Sequence, residues 1–377
     1  MENKKESTVT PAADRTDVNA ALADAVILIP SLEPDERLPA YIRKLTESGF
    51  GHVVVVDDGS AGSYQPIFRE VEQTGPQVTV LHHDVNHGKG VALKTGFRWI
   101  QANLPEISGV ITADADGQHT VPDCVHLAEE LEKGTRALYL GSRDFSLENV
   151  PPKSRTGNRF TSGLFFLLYG KWLQDTQTGL RAFRKEDLSF MIDVEGERFE
   201  YEMNMLIACA RNDLPMIPIT IETVYENENR GTHYHPIRDS LKIFRVIIRG
   251  FVKFMSSSLI CLLVDQGLFN LFNLLVFGNH ADKAIKYIMI STAAARIVSA
   301  SLNFILNKNF VFRLKGHTGG ALWKYIVLCV CVMLMSAGGV WLLGRIGMNS
   351  TVAKLIVDFL LYFVSYRMQQ KWVFREE

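Results

Sequence analysis

The hydrophobic positions of this chain fall into two regimes. Up to about residue 235 they come in short runs broken by charge; after residue 250 they come in long runs with few charges. In the first regime, strand-like runs recur at α/β spacing: Ala25 to Ile29, His52 to Val56, Val78 to Leu81, Gly109 to Ala113 and Ala137 to Leu140. Near-continuous Val/Ile runs belong to strands buried on both faces. Helical patterns such as Asp35 to Ser48 and Gly90 to Ala102 lie between them. The alternation predicts an α/β domain whose mostly parallel sheet is covered by helices on both sides.

The second regime opens with Arg238, Lys242, Arg245, Arg249 and Lys253, spaced every three or four residues opposite Leu241, Phe244, Ile247, Ile248 and Phe251. A helix so divided lies on an anionic membrane surface. Four apolar stretches follow: Phe254 to Phe277, Tyr287 to Leu306, Tyr325 to Leu343 and Val352 to Tyr366. Most approach the roughly 20 residues needed to cross hydrocarbon. The expected layout is a flexible tail over 1–22, the α/β domain over 23–235, an amphipathic juxtamembrane helix over 236–253 and an all-α four-span transmembrane domain over 254–377.

Composition sharpens this picture only in places. The net charge of −1 gives no global reason to expect nucleic acid as a partner. None of the five cysteines forms a CxxC pair, which fits reduced thiols and a cytosol-facing domain. The polar N-terminus lacks the apolar core of a signal peptide. Positive charge orients the spans. Lys308, Arg313, Lys315 and Lys324 after the second span, and Arg367, Lys371 and Arg375 at the C-terminus, place both termini and the α/β domain in the cytosol.

Candidate chemistry collects at strand ends. The fourth strand run ends in Asp114-Ala-Asp116, and ligands of open α/β sheets bind at the carboxyl ends of strands. Asp114 and Asp116 are spaced to hold one hard divalent cation, with Gln118 as a third oxygen ligand; the alternative is a solvated turn. Asp57 and Asp58 suit hydrogen bonds to a nucleobase or ribose, or else form a plain turn with a helix cap. Gly88-Lys89-Gly90 opens a helix, where backbone amides and Lys89 suit a diphosphate. No GxxxxGK[ST] is present and no GxGxxG follows the first strand, so a dinucleotide cofactor is not expected.

Taken together, Ile29-Pro30-Ser31, Val56-Asp57-Asp58-Gly59-Ser60, Asn86-x-Gly-Lys-Gly90, Asp114-Ala-Asp-Gly-Gln118, Gly141-Ser-Arg143 and Asp175-x-x-Thr-Gly-Leu-Arg181 resemble the family 2 glycosyltransferases of the GT-A fold. Their order looks like the polyprenyl-phosphate branch, which includes dolichyl-phosphate mannose synthases. The resemblance covers roughly residues 22 to 240. It departs from the family where Ser31-Leu-Glu33 stands in place of the usual Asn-Glu, and His119 stands where many relatives carry Asp.

The resemblance implies roles. Pro30, Glu33, Asp57, Asp58, Lys89, Asp114, Ala115 and Asp116 would bind a nucleotide-sugar donor, with Mg²⁺ or Mn²⁺ on Asp114, Asp116 and Gln118. The acceptor would be a polyprenyl phosphate, already an anion because a phosphomonoester has a second pKa of about 6. Arginine suits such a group, since its planar fork matches phosphate oxygens. Arg143, Lys153, Arg155 and Arg159 are the candidates, with Arg143, Arg155 and Asp116 carrying the catalytic load. Asp175, Thr178 and Gly179 begin a loop that lines the sugar pocket in relatives. Glu200 and Glu202 would add a carboxylate to the sugar or a base, or else sit at a helix N-terminus against its dipole. Asn229 to His235 looks like a lid over the donor.

The ending Asn303-x-x-x-Asn307-Lys308-x-Phe-Val-Phe312 resembles GtrA-like membrane proteins, over about residues 250 to 377. Those proteins are thought to help move polyprenyl-linked sugars across the membrane. Lys308-Asn-Phe-Val-Phe-Arg313 and Lys371-Trp-Val-Phe-Arg375 suggest a weak two-plus-two repeat. Asp265, Arg296 and Asp358 fall inside spans, where ionisable groups are costly. One expectation is that Asp265 or Asp358 pairs with Arg296, as a headgroup path or as a structural ion pair.

The sequence therefore reads as a membrane-bound, metal-dependent, inverting glycosyltransferase moving one sugar to a lipid phosphate at the cytosolic face of the cell membrane. Translocation of lipid-linked sugar by the second half, or transfer to another membrane-associated hydroxyl acceptor, are the alternatives. A processive synthase is disfavoured because no Gln-x-x-Arg-Trp is present. Self-association is left open.

Overall fold

The computed structural model describes residues 12–145, 150, 152–222, 236–272, 285–312 and 318–375. They form two compact units. The first holds α1 (Ala12–Asp24), β1 (Ala25–Ser31), α2 (Arg37–Glu47), β2 (His52–Asp57), α3 (Gln65–Glu72), β3 (Val78–His82), α4 (Lys89–Asn103), β4 (Gly109–Thr112), α5 (Val121–Glu132), β5 (Leu138–Arg143), most of α6 (Pro152–Tyr169), β6 (Arg181–Arg184), α7 (Leu188–Asp193), α8 (Glu200–Arg211) and β7 (Met216–Ile221). The tail expected to be flexible to residue 22 is thus helical from Ala12, and buries Ala21 and Leu22.

The strands make one sheet in the order β3-β2-β1-β4-β6-β5-β7. All pairs are parallel except those of β6, which runs antiparallel to both β4 and β5. The five expected strands are present within two residues at either end, except that β5 runs three residues further, to Arg143. The sequence reading lacked β6 and β7. Strand β6 is short and bounded by arginines, and β7 is an edge strand carrying Pro218.

Alternation along each strand splits the core in two. Ile27, Ile29, Val53, Val55 and Ile111 face Leu38, Ile42, Phe68 and Leu127. On α4, the ring of Phe97 meets that of Phe183 edge to face, with centroids 5.2 Å apart. Full burial of such side chains contributes roughly 1.5–3 kcal/mol each. Because β2 and β4 flank β1 on opposite sides, the strand order reverses there, and the carboxyl ends of β1, β2 and β4 open onto the crevice where α/β sheets bind ligands.

The second unit comprises α9 (Pro236–Leu271) from Phe244 onward, α10 (Ile285–Leu306), α11 (Thr318–Arg345) and α12 (Ser350–Met368), together with Leu167–Gly170. The juxtamembrane segment and the first span, expected as separate elements, are one helix, α9. Within this unit Tyr169 Oη donates to the Ile247 carbonyl at 2.9 Å. Among the described residues three helices are long and apolar enough to cross a membrane: Leu241–Leu271, Met289–Val311 and Gly319–Arg345. The fourth expected span is the helix α12, whose 19 residues include Lys354, Asp358 and Arg367.

Of the two expected partners, Asp265 is the one that meets Arg296, at 3.3 Å, and it also accepts from Ser299 Oγ at 2.7 Å. Asp358 pairs with Lys354 at 2.9 Å instead. The suspected repeat is visible as geometry. Asn307–Val311 and Gln369–Val373 are both π-helical turns. They meet through an Asn307 Nδ2 to Gln369 Oε1 hydrogen bond of 2.9 Å, and Phe312 stacks on Phe374 with centroids 5.2 Å apart.

Candidate active site

The turn after β4 is closed by its own residues. The Asp114 amide donates to His119 Nδ1 at 3.0 Å, and the Gln118 amide donates to Asp116 Oδ1 at 3.0 Å, an Asx turn. In the neutral ring this puts the His119 proton on Nε2, which lies 3.9 Å from Asp114 Oδ2. Thr112 Oγ1 donates to the Gly179 carbonyl at 2.9 Å and ties this turn to the loop after α6. Gly179 is there for space: a Cβ on it would stand 2.5 Å from Asp114 Oδ2.

Lys89, the first residue of α4, reaches across to the same carboxylate. Its Nζ lies 2.6 Å from Asp114 Oδ1 and 3.0 Å from Glu202 Oε1. Burial works against the Asp114 charge, yet the Lys89 ammonium and the nearby His119 and Arg181 hold its pKa at about 2. Burial likewise opposes the Lys89 charge, and the two carboxylates overcome it and push its pKa up. Asp116 goes the other way: burial, then the charge of Asp114, raise its pKa. Among the described residues no group of three or more His, Cys, Asp or Glu side chains has the arrangement of a metal cage.

Asp57 and Asp58 are buried, at 1% and 3% exposure, and both are engaged. Asp57 accepts from the Ser60 amide at 2.8 Å and Gln65 Nε2 at 3.0 Å, and lies 2.9 Å from His82 Nδ1. Burial pushes its pKa up, but these hydrogen bonds prevail and lower it. Asp58 accepts from the amides of His87 at 3.0 Å and Gly88 at 2.7 Å, and from His83 Nδ1 at 2.8 Å. Gly88 has φ +104°, and a Cβ on it would run into Glu197 and Arg198. Asp58 therefore shapes the glycine turn that presents Lys89, and what both carboxylates supply first is loop order. Pro30 is buried in β1. Glu33 is exposed at φ +49° and donates its amide to Ser60 Oγ at 2.8 Å, joining the loops after β1 and β2. Ala115 is half-buried.

On the other flank, Arg143 ends β5 and grips Asp175 with a two-point fork, Nε to Oδ2 at 2.7 Å and Nη2 to Oδ1 at 3.2 Å. Asp175 is fully buried and also accepts from the Gln177 amide. Asn158 of α6 holds the same loop: its side chain donates to the Gln174 carbonyl and accepts from Thr176. Arg155 and Arg159 on α6 are exposed on either side of Asn158; the Lys153 side chain lies outside the described residues. Thr178 is buried and bonded to Leu180, a turn-forming role.

The carboxylates of α8 divide their tasks. Glu200 accepts from the amides of Glu197 and Arg198 and braces the turn ahead of its own helix, while Glu202 faces Lys89. Sequence reasoning missed His82, His83 and Gln65, which orient the β2 acids, and assigned no role to Arg181. Arg181 is 1% exposed, donates to the carbonyls of Thr178 and Glu202, and helps keep Asp114 ionised. Its signal was present as the last residue of the Asp175 to Arg181 motif. The expected lid, Asn229 to His235, lies outside the described residues.

The loop after α6 thus joins the acids of the β4 turn to the Arg143 guanidinium, since Asp175 and Gly179 stand four residues apart in it. Residues 27–191 match the glycosyl transferase family 2, and residues 253–374 match the GtrA/DPMS transmembrane domain. An uncharacterized protein of Methanocaldococcus jannaschii is 30% identical over 213 residues, spanning 55% of this chain and 85% of that protein. The UDP-N-acetylglucosamine–dolichyl-phosphate N-acetylglucosaminyltransferase of Methanococcus voltae is 28% identical over 232 residues, 56% of this chain and 92% of that enzyme. Glucosyl-3-phosphoglycerate synthase of Mycobacterium tuberculosis, solved with Mn²⁺ and UDP, superposes with a TM-score of 0.46 at 14% identity, over 64% of this chain and 86% of that one. This chain is a glycosyltransferase that belongs to family 2 and carries a GtrA/DPMS-type transmembrane domain after its catalytic domain.

Proposed function

We propose that the protein transfers one sugar from a nucleotide-sugar to a polyprenyl phosphate, with inversion, at the cytosolic face of the cell membrane and with Mg²⁺ or Mn²⁺. The observation that carries this reading is the linkage of Asp114 to Arg143 through the 175–179 loop. It couples a cation-seeking end to a phosphate-seeking end. The name of the Methanococcus voltae relative supports a lipid phosphate as acceptor.

The donor set fits a hard divalent ion. Asp114 and Asp116 supply two carboxylates and Gln118 an amide oxygen, and an ion held this way takes its remaining ligands from substrate phosphates and water. When bound, such an ion supplies charge neutralisation on the departing nucleoside diphosphate. Lys89 adds a positive charge at the helix N-terminus where that diphosphate would sit. Arg143, with Arg155, Arg159 and Lys153, orients the acceptor. Since the acceptor is already an anion, positioning matters more than a general base. Glu202 then serves to hold Lys89 rather than to remove a proton. The basic residues Lys308, Lys324, Arg367 and Lys371 support cytosolic placement.

The test uses the purified full chain in lipid with a panel of nucleotide-sugars, polyprenyl phosphate and Mg²⁺ or Mn²⁺. A lipid-linked sugar should form with one donor, disappear with chelator and be lost in Asp116→Ala. Failure of every donor, or activity indifferent to chelator, would contradict the reading.

A further inference from the structure

The carboxylate expected to hold a cation already holds one of the protein's own. Lys89 Nζ sits 2.6 Å from Asp114 Oδ1 and 3.0 Å from Glu202 Oε1, with 18% of its side chain exposed. The other Asp114 oxygen is backed by Gly179, where there is no room even for a Cβ. A divalent ion and an ammonium on one carboxylate repel each other, and the repulsion grows as they close, so each weakens the hold of the other. We propose that Lys89 is an exchangeable counter-cation: it neutralises Asp114 in the donor-free enzyme and gives that place up to the metal, moving onto the donor diphosphate as the two arrive together.

The surroundings support an exchange rather than a permanent ion pair. Lys89 opens α4, where a positive charge opposes the helix dipole, so it gains nothing from its own helix. Two separate elements, the β4 turn and α8, each contribute a carboxylate to it. Glu202 leaves the lysine a second seat when Asp114 turns to another cation. The consequence is linkage. Metal alone must displace Lys89, whereas metal with diphosphate gives Lys89 a new partner, so each ligand strengthens the other, by equal factors in both directions.

This inference rests on the donor-site reading above, and equilibrium binding separates the two. Mn²⁺ binding to the full chain is measured by electron paramagnetic resonance, alone and with UDP or GDP. Lys89→Met should bind Mn²⁺ alone about tenfold more tightly than the parent, the scale of one charged hydrogen bond. It should also bind nucleotide with Mn²⁺ more weakly, so that the mutual enhancement shrinks. Glu202→Gln should move Mn²⁺ affinity the opposite way, since Lys89 then rests on Asp114 alone. Lys94→Met, one turn or so further along α4 and over the Tyr201 ring, controls for a general change of charge and should shift Mn²⁺ affinity less than about twofold. Unchanged Mn²⁺ affinity in Lys89→Met with weakened nucleotide binding would overturn the exchange and leave the donor site standing. Shifts of the same sign in Lys89→Met and Glu202→Gln would also overturn it. A parent protein that binds neither Mn²⁺ nor nucleotide would overturn the donor-site reading and the exchange with it.

Discussion

The Asp58 carboxylate accepts the backbone N–H of Gly88 at 2.7 Å, across 30 residues of sequence. This bond makes the end of one strand build the turn that starts the helix three elements later. It also explains why an acid at the tip of a strand is almost wholly buried. Asp58→Ala would strand the amides of His87 and Gly88, and leaving a buried donor unpaired costs about 1–3 kcal/mol per group. We expect a lower thermal midpoint and a raised KM for the donor, with KM for the acceptor unchanged. An unaltered donor KM would remove the turn from donor binding.

The acids of the β4 turn make a pH-dependent prediction. Burial and the Asp114 charge raise the Asp116 pKa in the folded protein. The ionised form is therefore disfavoured by folding, and it costs stability above the unfolded pKa of about 4. Asp116→Asn should abolish transfer yet raise the melting temperature at pH 7, and this gain should fade as pH falls through 4. Added Mn²⁺ should stabilise the parent protein and not the variant. A variant less stable than the parent at neutral pH would contradict this assignment.

Arg143 binds Asp175 with a fork that lysine cannot reproduce. Arg143→Lys keeps the charge and loses the geometry. Transfer to lipid phosphate should fall about tenfold or more in kcat/KM, the scale of one charge-assisted hydrogen bond. Nucleotide binding should stay within about twofold. Equal losses on the donor and acceptor sides would mean that Arg143 only braces the loop.

In the second unit, Asp265 meets Arg296 at 3.3 Å, and the arginine is itself largely exposed while the aspartate is not. Arg296→Leu leaves a buried acid without its partner, which destabilises more than removing both. The single variant should unfold earlier in detergent than the double variant Asp265→Leu/Arg296→Leu. Sugar transfer by the double variant should match the parent. If the double variant is stable but no longer exports lipid-linked sugar, the pair is part of a path and not only a brace.

Much of the frame was legible because burial on both faces writes itself as Val/Ile runs. Strands β1 to β5 were readable for that reason. Strand β6 was not, since Arg181-Ala-Phe-Arg184 has no room for a pattern and its arginines reach carbonyls of Glu202 and Leu131, far away in the sequence. Asp114 and Asp116 were visible as candidates from position alone. Which acids are loop organisers was not visible, because Asp58 and Asp175 take their partners from amides and side chains that only the fold assembles. The Lys89 bridge was hidden for the same reason: its two carboxylates lie 25 and 113 residues further along the chain.

The most direct test of the central claim compares two acceptors under one set of conditions. Purified protein in lipid, with its preferred nucleotide-sugar and Mn²⁺, is given either polyprenyl phosphate or the corresponding polyprenol. The expected result is a phosphate-linked sugar lipid from the first, no product from the second, slower product formation with Arg143→Lys and none with chelator. Transfer to the polyprenol at a comparable rate would contradict it, because a free hydroxyl needs a base that this arrangement of Lys89 and Glu202 does not supply.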